Sequence, residues 1–149
     1  MTIEHSQEVA KELSKLLAES YTLYLKTHKY HWNVTGPHFH SLHQLFEQEY
    51  TELATAVDEI AERIRALGHK APGSYTEFSK LSEVRDDDGD PDAESMLGNL
   101  AADHRKVAER ANHVMKLAGE HEDEGSAALA NDRITVHEKA AWMLSAHLG

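Results

Sequence analysis

Apolar residues recur along this chain at helical spacing almost from end to end, and most of the polar residues between them gather on the opposite faces. The pattern is clearest between Ser41 and Leu67. Leu42, Leu45, Phe46, Leu53, Val57, Ile60, Ile64 and Leu67 form one stripe there, the i, i+3, i+4, i+7 signature of an amphipathic helix. A first helix is predicted over about Ser6–Trp32, with Val9, Leu13, Leu16, Leu17, Leu23, Tyr24 and Thr27 on one side. Gly36-Pro37 ends it and leads into the second. A third begins near Asp90-Pro91, read as an N-cap followed by proline at the first helical position. It carries Leu97, Leu100, Val107, Ala111, Val114 and Ala118. An acidic loop, Gly119–Gly125, precedes a fourth over about Ser126–His147, with Ala130, Ile134, Ala141, Leu144 and Leu148 aligned.

The connections choose the topology. Short links make helices one and two antiparallel, and likewise three and four. The stretch Gly68–Gly89 is long for a link in a compact domain. It suffices to cross the bundle and leave helices two and three parallel, which predicts an all-α four-helix bundle with one long crossover. Tyr75, Phe78 and Leu81 within the crossover predict a short amphipathic helix.

The second helix has a further face. With Leu53 at zero and about 100° per residue, Phe46, Val57, Ile60 and Ile64 fall within about 40° of it. His43, Glu47, Asp58 and Glu62 fall at roughly 80° to 180°, off the apolar stripe. Thr51, Ala54 and Thr55 lie between them and are small enough to admit another helix. His43 and Asp58 are separated by roughly 22 Å of helix at ~1.5 Å per residue. Metal–ligand bonds are about 2 Å long. The two ends therefore cannot hold one ion within one chain. Two copies packed antiparallel through this face would bring them together, and a two-fold axis would make two equivalent sites. A solvated polar face is the plainer reading of the same pattern.

Charge narrows the partners. The 149 residues carry 26 acidic and 15 basic side chains, a formal net charge of −11. No basic tail is present, which argues against strong binding to nucleic-acid phosphates. An acidic surface attracts cations, although solubility alone explains much of it. Twelve histidines supply metal ligands. Cysteine is absent, no apolar run is long enough to span a membrane, and no secretory signal is visible. A cytoplasmic location is expected.

Two other metal motifs fail. No Glu is followed by His three residues later, so a di-iron centre inside the bundle is not expected. Asp86-Asp87-Asp88-Gly89-Asp90 superficially suggests a calcium loop, but Pro91 and Leu97 stand where such a loop needs Gly and Glu.

Tyr30 to His43, YHWNVTGPHFHSLH, followed by Asp58-Glu59-Ile60-Ala61-Glu62-Arg63 and later by Asn131-Asp132 and Trp142-Met143-Leu144, closely resembles the Dps family, the DNA-binding proteins from starved cells or mini-ferritins. The likeness covers nearly the whole chain and implies a single ferritin-like domain over residues 1–149. It further implies a hollow dodecamer built from dimers, with a ferroxidase centre at each dimer interface. On the matching positions, His31 and His43 come from one chain and Asp58 and Glu62 from its neighbour. Glu47 stands where many members have Asp, which leaves a second iron position open: the centre holds two irons, or one iron and a water.

Other residues are assigned from the same resemblance or from their place on a helix or loop. His31 shares a stripe with Leu13, Leu17 and Tyr24 and taken alone would be a core histidine; the motif makes it a ligand. Trp32 is implied as a radical quencher near the iron, and packing is its plainer role. His38 and His40 are auxiliary ligands or exposed loop residues, and His104 is a core histidine. Asp123 and Asp132, with Glu120, Glu122 or Glu124, are candidates for an iron-admitting pore, and Glu52 or Glu59 for mineral nucleation. The implied activity is oxidation of Fe(II), with hydrogen peroxide preferred to dioxygen, and storage of Fe(III). A DNA-shielding protein with little turnover, or a non-catalytic binder of zinc or another divalent metal, are the alternatives.

Overall fold

The computed structural model describes residues 1–149 and contains helices and connecting turns only. The order is α1 (Ile3–Asn33), α2 (Phe39–Ala66), α3 (Tyr75–Leu81), α4 (Ala93–Glu120) and α5 (Glu124–Ala146). The four long helices form the bundle, α3 lies in the crossover, and the expected architecture is the one found. No helix is long and apolar enough to cross a membrane.

Several helix ends differ from the sequence-based expectation because capping side chains set them. α1 starts earlier, at Ile3, where the Thr2 hydroxyl accepts from the His5 amide. α4 is capped by Asp92, whose carboxylate accepts from the Ser95 amide at 2.9 Å. Asp90-Pro91 therefore lies outside the helix, before its cap. The expected loop at Gly119–Gly125 shrinks to His121–Asp123, because α4 runs to Glu120 and Asp123 caps α5. Glu122 takes a positive φ of 59° there, a conformation uncommon for a residue with a side chain, and the Asp123 amide closes the turn on the Ala118 carbonyl at 2.8 Å.

The core is one continuous cluster of 27 buried residues drawn from all four long helices and the crossover. Val9, Leu13, Leu16, Leu23, Leu53, Ile60, Val107, Val114 and Leu144 are completely covered. Leu148 does not continue the α5 stripe; it lies beyond the helix end and is exposed. Within α3, Phe78 is buried and Tyr75 is exposed.

Polar side chains inside the bundle tie the crossover down. Lys26 is buried against Asp103 at 2.8 Å and donates to the Arg85 carbonyl at 2.9 Å. Tyr30 donates to Asp87 at 2.5 Å, which holds that carboxyl below the usual range. Arg110 pairs with the buried Glu19 at 3.2 Å, and Glu19 also accepts from the Glu83 amide at 3.0 Å. The long connection thus returns to α1 and α4 through directed bonds. Leaving a buried charge without its partner costs several kcal/mol, on the order of 3–5, so these pairs fix where the crossover runs.

Candidate metal centre

α1 ends and α2 begins within a few residues, so His31 and His43 meet at one corner. Their rings stack at a centroid distance of 3.8 Å and an interplanar angle of 13°. Each ring is anchored by the other residue's backbone: His31 Nδ1 donates to the His43 carbonyl, and His43 Nδ1 donates to the His31 carbonyl, both at 2.7 Å. A carbonyl only accepts, so both protons sit on Nδ1. In the neutral rings both Nε2 lone pairs are then free to ligate, the tautomer a metal needs. His31 is buried and His43 half-buried. The Glu47 carboxylate lies one turn further along α2, 3.9 Å from His31 Nε2.

An aromatic wall backs this corner. Phe39 stacks on His43 at 5.0 Å, and Tyr50 meets His31 edge-on at 5.1 Å. His28 stacks on Tyr50 at 4.3 Å and touches Trp32 at 3.9 Å. Trp32 itself is 59 % exposed. His28, Phe39 and Tyr50 were not among the residues singled out from the sequence. The available signal was spacing: Tyr50 is one turn beyond Glu47, and His28 one turn before His31.

At the far end of α2, Asp58 and Glu62 are exposed neighbours one turn apart. A hydrogen bond with Asp58, and then repulsion from its charge, push the Glu62 carboxyl up. Neither has a basic partner among the ion pairs of the chain. Thr51, Ala54 and Thr55 between the two ends are exposed as well. As the side chains stand, no three His, Cys, Asp or Glu side chains within one chain, here or at any other corner, converge closely enough to hold a metal ion. The structure therefore gathers His31, His43 and Glu47 at one end and Asp58 with Glu62 at the other. The donor chemistry of the two sets, imidazole nitrogen with carboxylate oxygen, suits iron.

The remaining candidates divide. His38 and His40 are exposed. His104 is a core histidine: its Nδ1 lies 2.8 Å from His137 Nδ1, and burial pushes it down to about 3. Glu52 forms a two-pronged ion pair with Arg133, and Glu59 is exposed. Asp123 is buried, paired with Arg63 at 2.7 Å and bound to Ser126, whereas Asp132, Glu120, Glu122 and Glu124 are exposed. Glu49, also unflagged by the sequence, is buried without a counter-charge, and desolvation pushes its carboxyl up to about 8.

The bundle with one crossover, and the imidazole pair it builds at the α1–α2 corner, define a ferritin-like protein. Residues 10–149 match the ferritin-like domain family. "DNA protection during starvation protein 2" from Bacillus anthracis is 36 % identical over 143 residues, covering 96 % of this chain and 98 % of that protein. An uncharacterized low-temperature-induced protein from Nostoc is 42 % identical over 146 residues, covering 97 % and 82 %. The crystal structure of a Vibrio cholerae O1 Dps protein, described as a member of a broad superfamily of ferritin-like diiron-carboxylate proteins, superposes with a TM-score of 0.96. It is 35 % identical, with 100 % of this chain and 94 % of that one covered. A Dps protein from Bacillus brevis gives 0.95 at 30 % identity, with both chains fully covered. The chain belongs to the Dps family of mini-ferritins.

Proposed function

We propose that this chain is a ferroxidase and iron-storage mini-ferritin whose catalytic centre forms only between two copies. The observation that carries this reading is the reciprocal anchoring of His31 and His43. It holds two Nε2 lone pairs in a fixed orientation, at the end of a helix whose other end presents two carboxylates without a counter-charge. Antiparallel pairing of α2 with its copy, across Thr51, Ala54 and Thr55, joins imidazoles of one chain to Asp58 and Glu62 of the other. A closed cage of such dimers, twelve chains in the family, stores the product.

Fe(II) is the substrate. His31 and His43 bind and orient it, and the carboxylates neutralise charge as Fe(III) forms. Two Fe(II) ions supply the two electrons that reduce one hydrogen peroxide, with two protons, to two waters. That stoichiometry releases no hydroxyl radical, which is the protective value of using peroxide ahead of dioxygen. Glu47 ligates a second iron directly or through a water, or leaves that position to water alone. Trp32, next to His31 in the chain, against the His28 ring and open to solvent, donates an electron to stray oxidants. Exposed acidic groups around Asp132, with Glu120, Glu122 and Glu124, draw Fe(II) inward; Asp123 belongs to the same cluster, its charge balanced by Arg63. Storage takes place in the cytoplasm. The net charge of −11 keeps DNA affinity weak.

Stopped-flow absorbance with anaerobic Fe(II), then peroxide or dioxygen, tests the reading. A fast ferric signal with peroxide, slower with dioxygen, is expected from an assembly of about twelve chains. A protein that binds Fe(II) or Zn(II) without turnover, or one that retards DNA at moderate salt and oxidises no iron, contradicts it.

A further inference from the structure

A second stacked imidazole pair lies at another corner of the molecule. His5, on the first turns of α1, stacks on His121, the C-cap of α4, with centroids 3.9 Å apart and planes 15° from parallel. This is nearly the geometry of His31 on His43, but here the carboxylate is supplied by the same chain. Glu8, one turn along α1 from His5, places its Oε2 2.8 Å from His121 Nε2. We propose that His5, Glu8 and His121 form a site for a divalent transition metal of the zinc class, separate from the α2 centre.

The chemistry of the donors supports this. Two imidazoles and one carboxylate with an open fourth position make up a common zinc ligand set. As the side chains stand, His121 Nε2 donates to the carboxylate, which can only accept. A metal ion bound at Nε2 takes the place of that bridging proton, which moves to Nδ1 of the neutral ring. The three donors are drawn together by this hydrogen bond and the stack, and are not yet closed around one point. None of the three side chains is fully buried, His5 and His121 being half-buried and Glu8 exposed, which leaves room for them to turn toward a common ion. The backbone at this corner is already held: Ser6 Oγ is 2.8 Å from His69 Nε2, and Asp123 pairs with Arg63 just beyond His121. His121 also sits at the carbonyl end of α4, where a cation is favoured by the helix dipole. A bound ion would clip the start of α1 to the α4–α5 turn.

The test uses the full assembled protein and zinc itself. In the H31A/H43A protein, whose α2 centre is disabled, equilibrium dialysis is expected to find one tightly held Zn(II) per chain. Adding H5A and H121A removes it, and E8Q weakens it roughly tenfold or more. At a hundredfold excess over Kd, zinc raises the melting midpoint of H31A/H43A by about 5 °C or more. A zinc-edge anomalous map of the wild type places a peak among the three side chains. Fe(II) oxidation by H5A/H121A at an intact α2 centre stays at the wild-type rate, which separates this site from the ferroxidase reading. Zinc stoichiometry unchanged by H5A/H121A, or no anomalous peak at this corner, overturns the proposal.

Discussion

The two ends of α2 are built on opposite principles. At the N-terminal end the fold finishes the work: two imidazoles lock each other through backbone carbonyls, packed against Phe39 and Tyr50. At the other end Asp58 and Glu62 stand exposed with no basic partner, and the hydrogen bond with Asp58 and its charge push the Glu62 carboxyl up. The first end has two imidazoles in a fixed geometry and one carboxylate, Glu47; the second has two carboxylates and no basic partner. The helix keeps them roughly 22 Å apart, so on the proposed reading only a second copy can join them.

The largest expected effect comes from removing the ordered end. H31A/H43A is predicted to slow Fe(II) oxidation by peroxide at least about a hundredfold, while size-exclusion chromatography shows the assembly intact. On the proposed reading each imidazole orients the iron, and losing such positioning costs on this scale. A variant within a few-fold of wild type would mean that the imidazoles are packing residues only.

A smaller effect is expected at Glu47, 3.9 Å from His31 Nε2 and exposed. E47D shortens the side chain by one methylene and should change the oxidation rate by less than about tenfold, with iron stoichiometry per centre as the sharper readout. If E47D matches the loss in H31A/H43A, the ordered end has three indispensable ligands rather than two.

The smallest effect concerns stability and keeps the pH response of the fold apart from that of the site. Glu49 faces inward from the middle of α2, and burial pushes its carboxyl up to about 8. Folding then takes up a proton between the unfolded value near 4.5 and the folded value near 8. Stability accordingly falls as pH rises through that window. E49Q removes the titration, so its melting midpoint should change less between pH 5 and 8 than that of the wild type, by a few degrees. Equal slopes would show that Glu49 is already charged in the folded chain.

Much of this was legible in the sequence. The helical periodicity gave four long helices and the crossover helix, since each buries a stripe that the spacing displays. Helix ends were less legible, because a cap depends on which carboxylate reaches which amide: Asp92 wins at α4 because it bonds Ser95, a choice that Asp90-Pro91 obscures. At the candidate site, His43, Asp58 and Glu62 stood out by lying off the apolar stripe. His31 did not, because it lies on a stripe that is in fact buried, and the motif was needed to find it. The stacking of His28, Tyr50 and Phe39 around it depends on the angle between α1 and α2, which no single-helix pattern encodes. Glu49 was readable in principle: it lies only about 40° from Leu53 on the helical wheel, an acid on a core face.

The central claim is that neither end of α2 works without the other chain's opposite end. Two inactive variants test it most directly: H31A/H43A, which keeps the acids, and D58A/E62A, which keeps the imidazoles. Dissociated, mixed in equal amounts and reassembled, they form mixed dimers in which one of the two sites is whole, so roughly a quarter of wild-type oxidation activity should return. If the mixture stays as inactive as its components although mixed dimers are present, the ligands do not come from two chains and the account is wrong.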